Sequence, residues 1–163
     1  MIKLRRAELN SVYNFLDNTK LNRISNTTIR NTILKIILTG KKESEVSLNS
    51  IGEIRNKFFG EFPEEELVEF QDSVNKITQL IRDGKHEEAN AVDAEASKKY
   101  PKILDAYRSF NEALNDLQKE VVEVNIEPIS MEEFLDAMVG QDLDITGDII
   151  TKLTPIFENG SEN

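Results

Sequence analysis

The chain of 163 residues has no cysteine, no tryptophan and a single histidine. Without cysteine there can be no disulfide, no thiolate metal site and no cysteine nucleophile. With His86 alone, neither a two-histidine zinc site nor a Ser-His-Asp triad can be assembled, and the zinc motif H-E-x-x-H fails at Asn90. No glycine-rich phosphate-binding loop is present. We therefore expect a protein that is not an enzyme and carries no cofactor.

Long apolar segments are also missing. No uninterrupted apolar run approaches the roughly 18 residues of a membrane-spanning helix. The opening residues Met1–Arg6 include basic side chains, but no apolar run follows them as it would in a secretory signal. We therefore expect a cytoplasmic protein with no membrane partner.

The charge is divided unevenly along the chain. Residues 1–60 contain 11 Lys and Arg against 5 Asp and Glu, residues 61–163 contain 9 against 25, and the whole chain has a net charge of −10. Such asymmetry can indicate an acidic surface that meets a basic partner, but it is more typical of helices whose charge only maintains solubility. Nucleic acid is not an expected partner, because no aromatic stacking platform or helix-turn-helix pattern accompanies the basic residues.

Two apolar seams in the middle of the chain dominate the fold prediction. In each seam the apolar residues are three or four apart, as in helices that bury one stripe. The seams consist of Leu67, Phe70, Val74, Ile77 and Ile81, and of Ile103, Tyr107, Phe110, Leu114, Leu117 and Val121. We predict a long antiparallel helical hairpin over residues 64–121. Between its arms, residues 85–99 have only small apolar side chains and are predicted as a thin exposed helix or the hairpin tip.

Shorter elements are predicted on both sides of this hairpin. Apolar and polar residues alternate at Met1–Leu4 and again at 122–127, which is typical of half-buried strands. We predict that these strands pair and that short flanking helices cover the two-stranded sheet. Residues 122–157 would supply the second strand and two short helices. The fold prediction is thus a mainly α, single domain over residues 1–157, with a disordered tail at 158–163.

Residues 26–59 leave open whether they form one helix or two. Asn26 is a suitable N-cap, and an apolar face begins at Ile29. Gly40 lies where this face would continue, and glycine costs about 1 kcal/mol in a helix interior. We therefore expect a break near Gly40.

The sharpest local motif begins at Asp142 and resembles an EF-hand loop, which takes oxygen ligands at positions 1, 3 and 5 and glycine at 6. Position 12 of that loop should be a bidentate Glu and is Leu153, so we predict no metal site. The alternative is a helix start capped by a side chain of the motif. The same residues also match the D-x-D-x-T motif of a class of phosphatases. That motif requires a parallel sheet, and the sequence predicts none. The candidate calcium ligands are Asp142, Asp144, Thr146 and Asp148.

The order of segments carries a further indication. The chain opens with Met1–Leu4 before a short helix, runs from Phe110–Asn115 into Val122–Ile129, and closes with an acidic linker and an apolar-Pro-apolar cluster in Asp144–Phe157. This layout resembles a family of short, uncharacterised proteins of tailed bacteriophages. The resemblance covers the C-terminal half best. It implies residence in the host cytoplasm, but no activity and no functional residues.

These features together predict a non-enzymatic interaction protein, encoded by a phage, that docks on a partner protein through an acidic helical face. The exposed residues of 85–99 are the expected docking surface. One alternative is an acidic inhibitor that imitates DNA and blocks a DNA-binding host protein. Another is an oligomeric structural or assembly factor of a virion, since heptad-like seams also permit homo-oligomers.

Overall fold

A computed structural model describes residues 1–158 of the chain. The predicted disordered tail, 158–163, lies outside the described residues from 159 onward. No helix in the described part of the chain is both long and apolar enough to cross a membrane. The elements are β1 (Ile2–Arg5), α1 (Arg6–Leu16), α2 (Thr27–Phe59), α3 (Glu64–Arg82), α4 (His86–Lys99), α5 (Pro101–Lys119), β2 (Val121–Val124), α6 (Met131–Met138) and α7 (Gly147–Leu153), with short 3-10 turns at Leu21–Arg23 and Thr154–Ile156.

The architecture is mainly helical with one two-stranded antiparallel sheet, which confirms the predicted fold class. β1 pairs with β2 so that Ile2 lies opposite Val124 and Leu4 opposite Val122. The chain divides into two compact units. Unit 1 contains residues 1–49 and the described residues from 116 onward, and unit 2 contains residues 50–115. The predicted single domain thus contains two compact units, and α2 and α5 contribute residues to both.

One face of the sheet is buried because its residues alternate. The inward side chains share one apolar core with residues of α1, α2, α6 and α7. The outward side chains remain in water, and Lys3 pairs with Glu123 across the strands at 3.7 Å. The inward strand residues are Ile2, Leu4, Val122 and Val124.

β2 begins one residue before the predicted strand, at Val121, and ends three residues before the predicted end, at Val124. At its end the backbone N–H of Ile126 donates to the carbonyl of Val124 at 2.8 Å, which turns the chain out of the ladder. Ile126 is still buried, so the alternating pattern persists beyond the strand. At its start, Val121 belongs to β2 rather than to the hairpin seam, and its side chain is exposed.

Helix α2 runs unbroken for 33 residues, so the segment 26–59 contains one helix and the expected break near Gly40 is wrong. A Cβ atom at Gly40 would lie 2.6 Å from Cβ and Cγ of Tyr13 on α1. Glycine therefore lets α1 and α2 approach more closely than any other residue would allow. This packing offsets the helix cost of glycine, about 1 kcal/mol. The buried face of α2 stays in phase through this point and contains Ile29, Ile33, Ile36, Gly40 and Ser47.

Arg6 is buried where β1 meets α1, and its side chain is only 7% exposed. Its Nη1 atom donates to the carboxylate of Glu43 at 2.8 Å and to the hydroxyl of Ser47 at 3.2 Å. Its Nη2 atom donates to the carboxylate of Glu120 at 2.9 Å. One guanidinium therefore joins the start of the chain to α2 and to the residue that precedes β2. This contact also explains why the polar residue Ser47 is buried.

Unit 2 contains most of the predicted hairpin, namely residues 64–115 of 64–121. The first arm, α3, is followed by Gly84, whose positive φ of 74° is typical of a residue that ends a helix. The return arm begins with α4, the segment predicted as thin, which packs along α3 and buries Ala89 and Ala96. α5 follows from Pro101 and contacts α3 through larger side chains. The second apolar core of the chain has Phe70, Tyr100 and Ile103 at its centre.

Replacing Gly40 with alanine should destabilise the fold, although alanine is the better helix former. The new methyl group would overlap Tyr13, and overpacking of this kind costs about 1–3 kcal/mol. Gly52 in the same helix has no atom within 4 Å of its Cβ direction, so Gly52→Ala should stabilise by about 0.5–1 kcal/mol. Urea unfolding of both variants measures the two shifts. A stabilising Gly40→Ala would contradict the close approach of α1 and α2.

Replacing Arg6 with methionine should lower the free energy of unfolding by about 3 kcal/mol. Methionine keeps the apolar stem but leaves the partly buried Glu43 carboxylate without its counter-charge, and a broken buried pair costs several kcal/mol. The neighbouring exposed residue gives the control, Arg5→Met, which should change stability by less than about 0.5 kcal/mol. Equal losses in the two variants, measured by urea unfolding at pH 7, would show that the buried contacts contribute nothing.

Candidate functional site

An open cleft of about 360 Å³ lies in unit 2, between the end of α2, α3 and α5. Its floor is apolar and mostly aromatic. α3 packs closely on α4, and it meets α5 through the larger side chains of the second apolar core. The floor is lined by Phe59, Leu67, Phe70, Ile103, Tyr107 and Phe110.

The aromatic rings of the floor hold one another in tilted and edge-on arrangements. Phe59 packs edge-on against Phe110 with ring centroids 5.3 Å apart, and Phe70 lies 5.9 Å from Tyr107. Such geometries are favourable because the positive edge of one ring meets the negative face of another. Phe70 is buried, but Phe59, Tyr107 and Phe110 are only half-buried. The cluster is therefore a fixed apolar surface that is partly open to a ligand.

The rim of the cleft is polar and carries both signs of charge. Arg55 lies on one side, and Glu64 and Gln71 lie along α3. Between them Val68 leaves 53% of its surface exposed. Glu64 begins a run of three exposed glutamates in the first turn of α3, where the positive end of the helix dipole favours carboxylates. An acidic edge therefore borders the aromatic floor.

A second, polar cleft of about 290 Å³ lies between α3 and α4 around Glu69. Lys99 donates to Glu69 Oε2 at 2.8 Å, and the hydroxyl of Tyr100 donates to the same oxygen. These hydrogen bonds, that of Lys99 first, lower the pKa of Glu69, and the bond to Glu69 raises the pKa of Lys99. Both groups therefore keep their charges at neutral pH, which fits a clamp between helices and not proton transfer by this cluster.

The four candidate calcium ligands do not form one cluster, and those with contacts have separate partners. Asp142 pairs with Lys20 at 2.5 Å and with Arg23 at 3.3 Å. Thr146 caps α7 by accepting from the backbone N–H of Ile149 at 3.4 Å, and Asp148 lies in the first turn of that helix. Asp144 is exposed. Within residues 1–158 no three His, Asp or Glu side chains are grouped as a metal site would need.

The apolar cleft was only partly visible in the sequence. Five of its six floor residues belong to the two predicted seams, which were assigned to the buried contact of the hairpin. Phe59 was missed as a member, because it is the last residue of α2 and belongs to neither seam. The surface expected at 85–99 has exposed residues, but the exposed large apolar side chains of unit 2 are Val68 and Ile81 on α3. The signal available in the sequence was the concentration of aromatic residues in the two seams, at Phe70, Tyr107 and Phe110.

Comparisons of the chain with protein-family models, with curated proteins and with solved structures find no match. The resemblance to tailed-bacteriophage proteins therefore stays a prediction. The features that bear on function are those of the chain itself, namely the aromatic cleft and its acidic edge.

The ion pairs of Asp142 should make the stability of the fold depend on pH in the acidic range. The hydrogen bond and charge of Lys20, and the charge of Arg23, lower the pKa of Asp142. A carboxylate whose pKa is lowered in the folded state stabilises the fold at pH values above its unfolded-state pKa, about 3.9. That contribution is lost as the pH falls through the lower, folded-state pKa. Asp142→Asn should therefore be less stable than the parent at pH 6, and the difference should shrink below about pH 4.

Urea unfolding at a series of pH values measures this difference. Asp144→Asn, an exposed substitution two residues further on, controls for the loss of one carboxylate. A stability difference for Asp142→Asn that stays constant from pH 6 to pH 2.5 would contradict the electrostatic origin of the effect.

Proposed function

We propose that this protein is a non-catalytic interaction protein that binds a helical segment of a partner protein in the aromatic cleft of unit 2. The observation that supports this is the half-buried state of Phe59, Tyr107 and Phe110 around an open cleft. Aromatic rings that are held in place by their neighbours but remain partly in contact with water form an exposed apolar surface. Such surfaces mark interaction sites.

The dimensions of the cleft favour a few anchor side chains. A volume of about 360 Å³ is at the lower end for ligand pockets, and this cleft is open rather than enclosed. An amphipathic helix inserts apolar residues spaced three or four apart into grooves of this kind. The ligand is therefore a helix with two or three large apolar side chains on one face.

The charge around the cleft favours a basic helix. Unit 2 contains 9 Lys and Arg against 14 Asp and Glu, a net charge of −5. Glu64, Glu65 and Glu66 are exposed at the edge of the floor. Opposite charges across an interface accelerate association and select orientation. If the chain is encoded by a phage, as the resemblance implies, this partner is a protein of the infected bacterium or of the virion.

An acidic inhibitor that imitates DNA is the second candidate, and it uses the same carboxylates. Mimicry of phosphates depends on charge alone and has no need of an aromatic floor. The two candidates therefore differ in their response to an apolar-to-charged change in the cleft and in their response to salt.

Replacing Val68 with arginine should weaken binding of the partner helix at least tenfold, about 1.4 kcal/mol. The change removes apolar surface from the rim and places a cation against a basic ligand. The probe is a peptide library that tiles bacterial and phage proteomes, selected on the parent protein and measured by fluorescence anisotropy. Selected peptides should have apolar residues at i, i+3 or i+4, and i+7, with basic residues beside them.

The matched control is Ile81→Arg, because Ile81 is 51% exposed on the same helix but lies outside the cleft. It should bind the selected peptides as the parent does. Equal binding by Val68→Arg would exclude the cleft as the site. A steep loss of binding between low and high salt, with no effect of Val68→Arg, would instead indicate DNA mimicry.

A further inference from the structure

Helix α2 has a second apolar stripe on the face opposite its buried one. Three leucines on this face are exposed, Leu34 by 39%, Leu38 by 59% and Leu48 by 67%. Lys41 and Glu45, both exposed, continue the same line between them. The five residues, which we call the leucine stripe, are spaced 4, 3, 4 and 3 apart. This is the spacing of the seam in a two-helix coiled coil.

The leucine stripe is narrow and distinct from the core-facing side of α2. With 3.6 residues per turn, its five members lie within an arc of about 80°. Ile33, Ile36 and Gly40 lie on the other side of the helix, against the apolar core and α1. Exposed leucines at this spacing are typical of a helix face that packs on another helix.

When two copies of the leucine stripe pack antiparallel, the charges of one copy complement those of the other. In an antiparallel pair of α2 helices centred on residue 43, Leu38 lies opposite Leu48 of a second copy. In the same register Lys41 lies opposite Glu45 of that copy, and by symmetry both contacts occur twice. The four central layers are then leucine, ion pair, ion pair and leucine. A two-fold interface of this kind uses the same patch on both chains.

Other arrangements of two copies are worse. A parallel pair places Lys41 against Lys41 and Glu45 against Glu45, and like charges in facing positions are repulsive. Shifting the antiparallel register by one heptad in one direction places Leu38 against Lys41, and in the other direction Glu45 against Leu48. Each such layer buries a charge without a partner, which is costly.

We propose that the leucine stripe is a homodimer interface in which two α2 helices pack antiparallel about residue 43. The occupant of this face is a second copy of the chain, because the order of leucine, lysine, glutamate and leucine complements itself. Charged residues within the seam reduce affinity while fixing orientation and register. The dimer is therefore weak and forms as the concentration rises.

Charge reversal tests this arrangement. Sedimentation equilibrium of the parent should show a mass that rises with concentration towards twice the 18.6 kDa of one chain. K41E and E45K each place like charges in both central layers, so each should raise the dissociation constant at least about tenfold. An equimolar mixture of the two variants should dimerise again, and so should the double variant K41E/E45K.

E53K is the control for net charge, because Glu53 is exposed on α2 but lies off the stripe. It should dimerise as the parent does. Orientation is read from disulfides, since the chain has no cysteine of its own. A mixture of L38C and L48C should cross-link between the two variants, and neither should cross-link to itself.

Three results would each overturn the proposal. The first is a parent that stays monomeric at millimolar concentration. The second is a dimer that K41E and E45K leave unchanged. The third is a disulfide between two L38C chains, which would require parallel helices.

Discussion

The buried guanidinium of Arg6 is the interaction on which the arrangement of unit 1 depends. It contacts Glu43, Ser47 and Glu120, which are separated by long stretches of sequence, and so holds the β1–α1 junction against α2 and the start of β2. A two-stranded sheet is marginal when it stands alone. Here a charged hydrogen-bond network ties both strands to the helix that covers them. The apolar core packs against the sheet that this network holds in place.

Close packing governs how α1 meets α2 and how α3 meets α4. In unit 1, Gly40 gives Tyr13 the space to lie directly on the backbone of α2. In unit 2, Ala89 and Ala96 give α4 the same close approach to α3. α5 carries large aromatic residues instead, so it meets α3 at the distance those rings impose. The aromatic cleft is a consequence of this difference in side-chain size.

Helix α2 illustrates how one element can have two roles. Its buried face has the small residues Gly40 and Ser47 where α1 and the side chain of Arg6 come close. Its exposed face carries leucines that no other part of the described chain covers. Apolar residues at helical spacing therefore predict that a helix packs, but not against what. The proposed homodimer and the proposed partner helix use different surfaces, α2 in one case and the α3–α5 cleft in the other.

The sequence by itself indicated most of the helices, the existence of both strands and the hairpin, because these follow from the 3.6-residue and two-residue periods of apolar side chains. It also indicated that Thr146 could cap a helix. The tertiary structure alone decided that α2 is continuous, because the gain from contact between Gly40 and Tyr13 exceeds a local propensity of about 1 kcal/mol. It also decided which seam residues remain open to a ligand. Exposure depends on distances between elements far apart in sequence, and periodicity within one element carries no information about those distances.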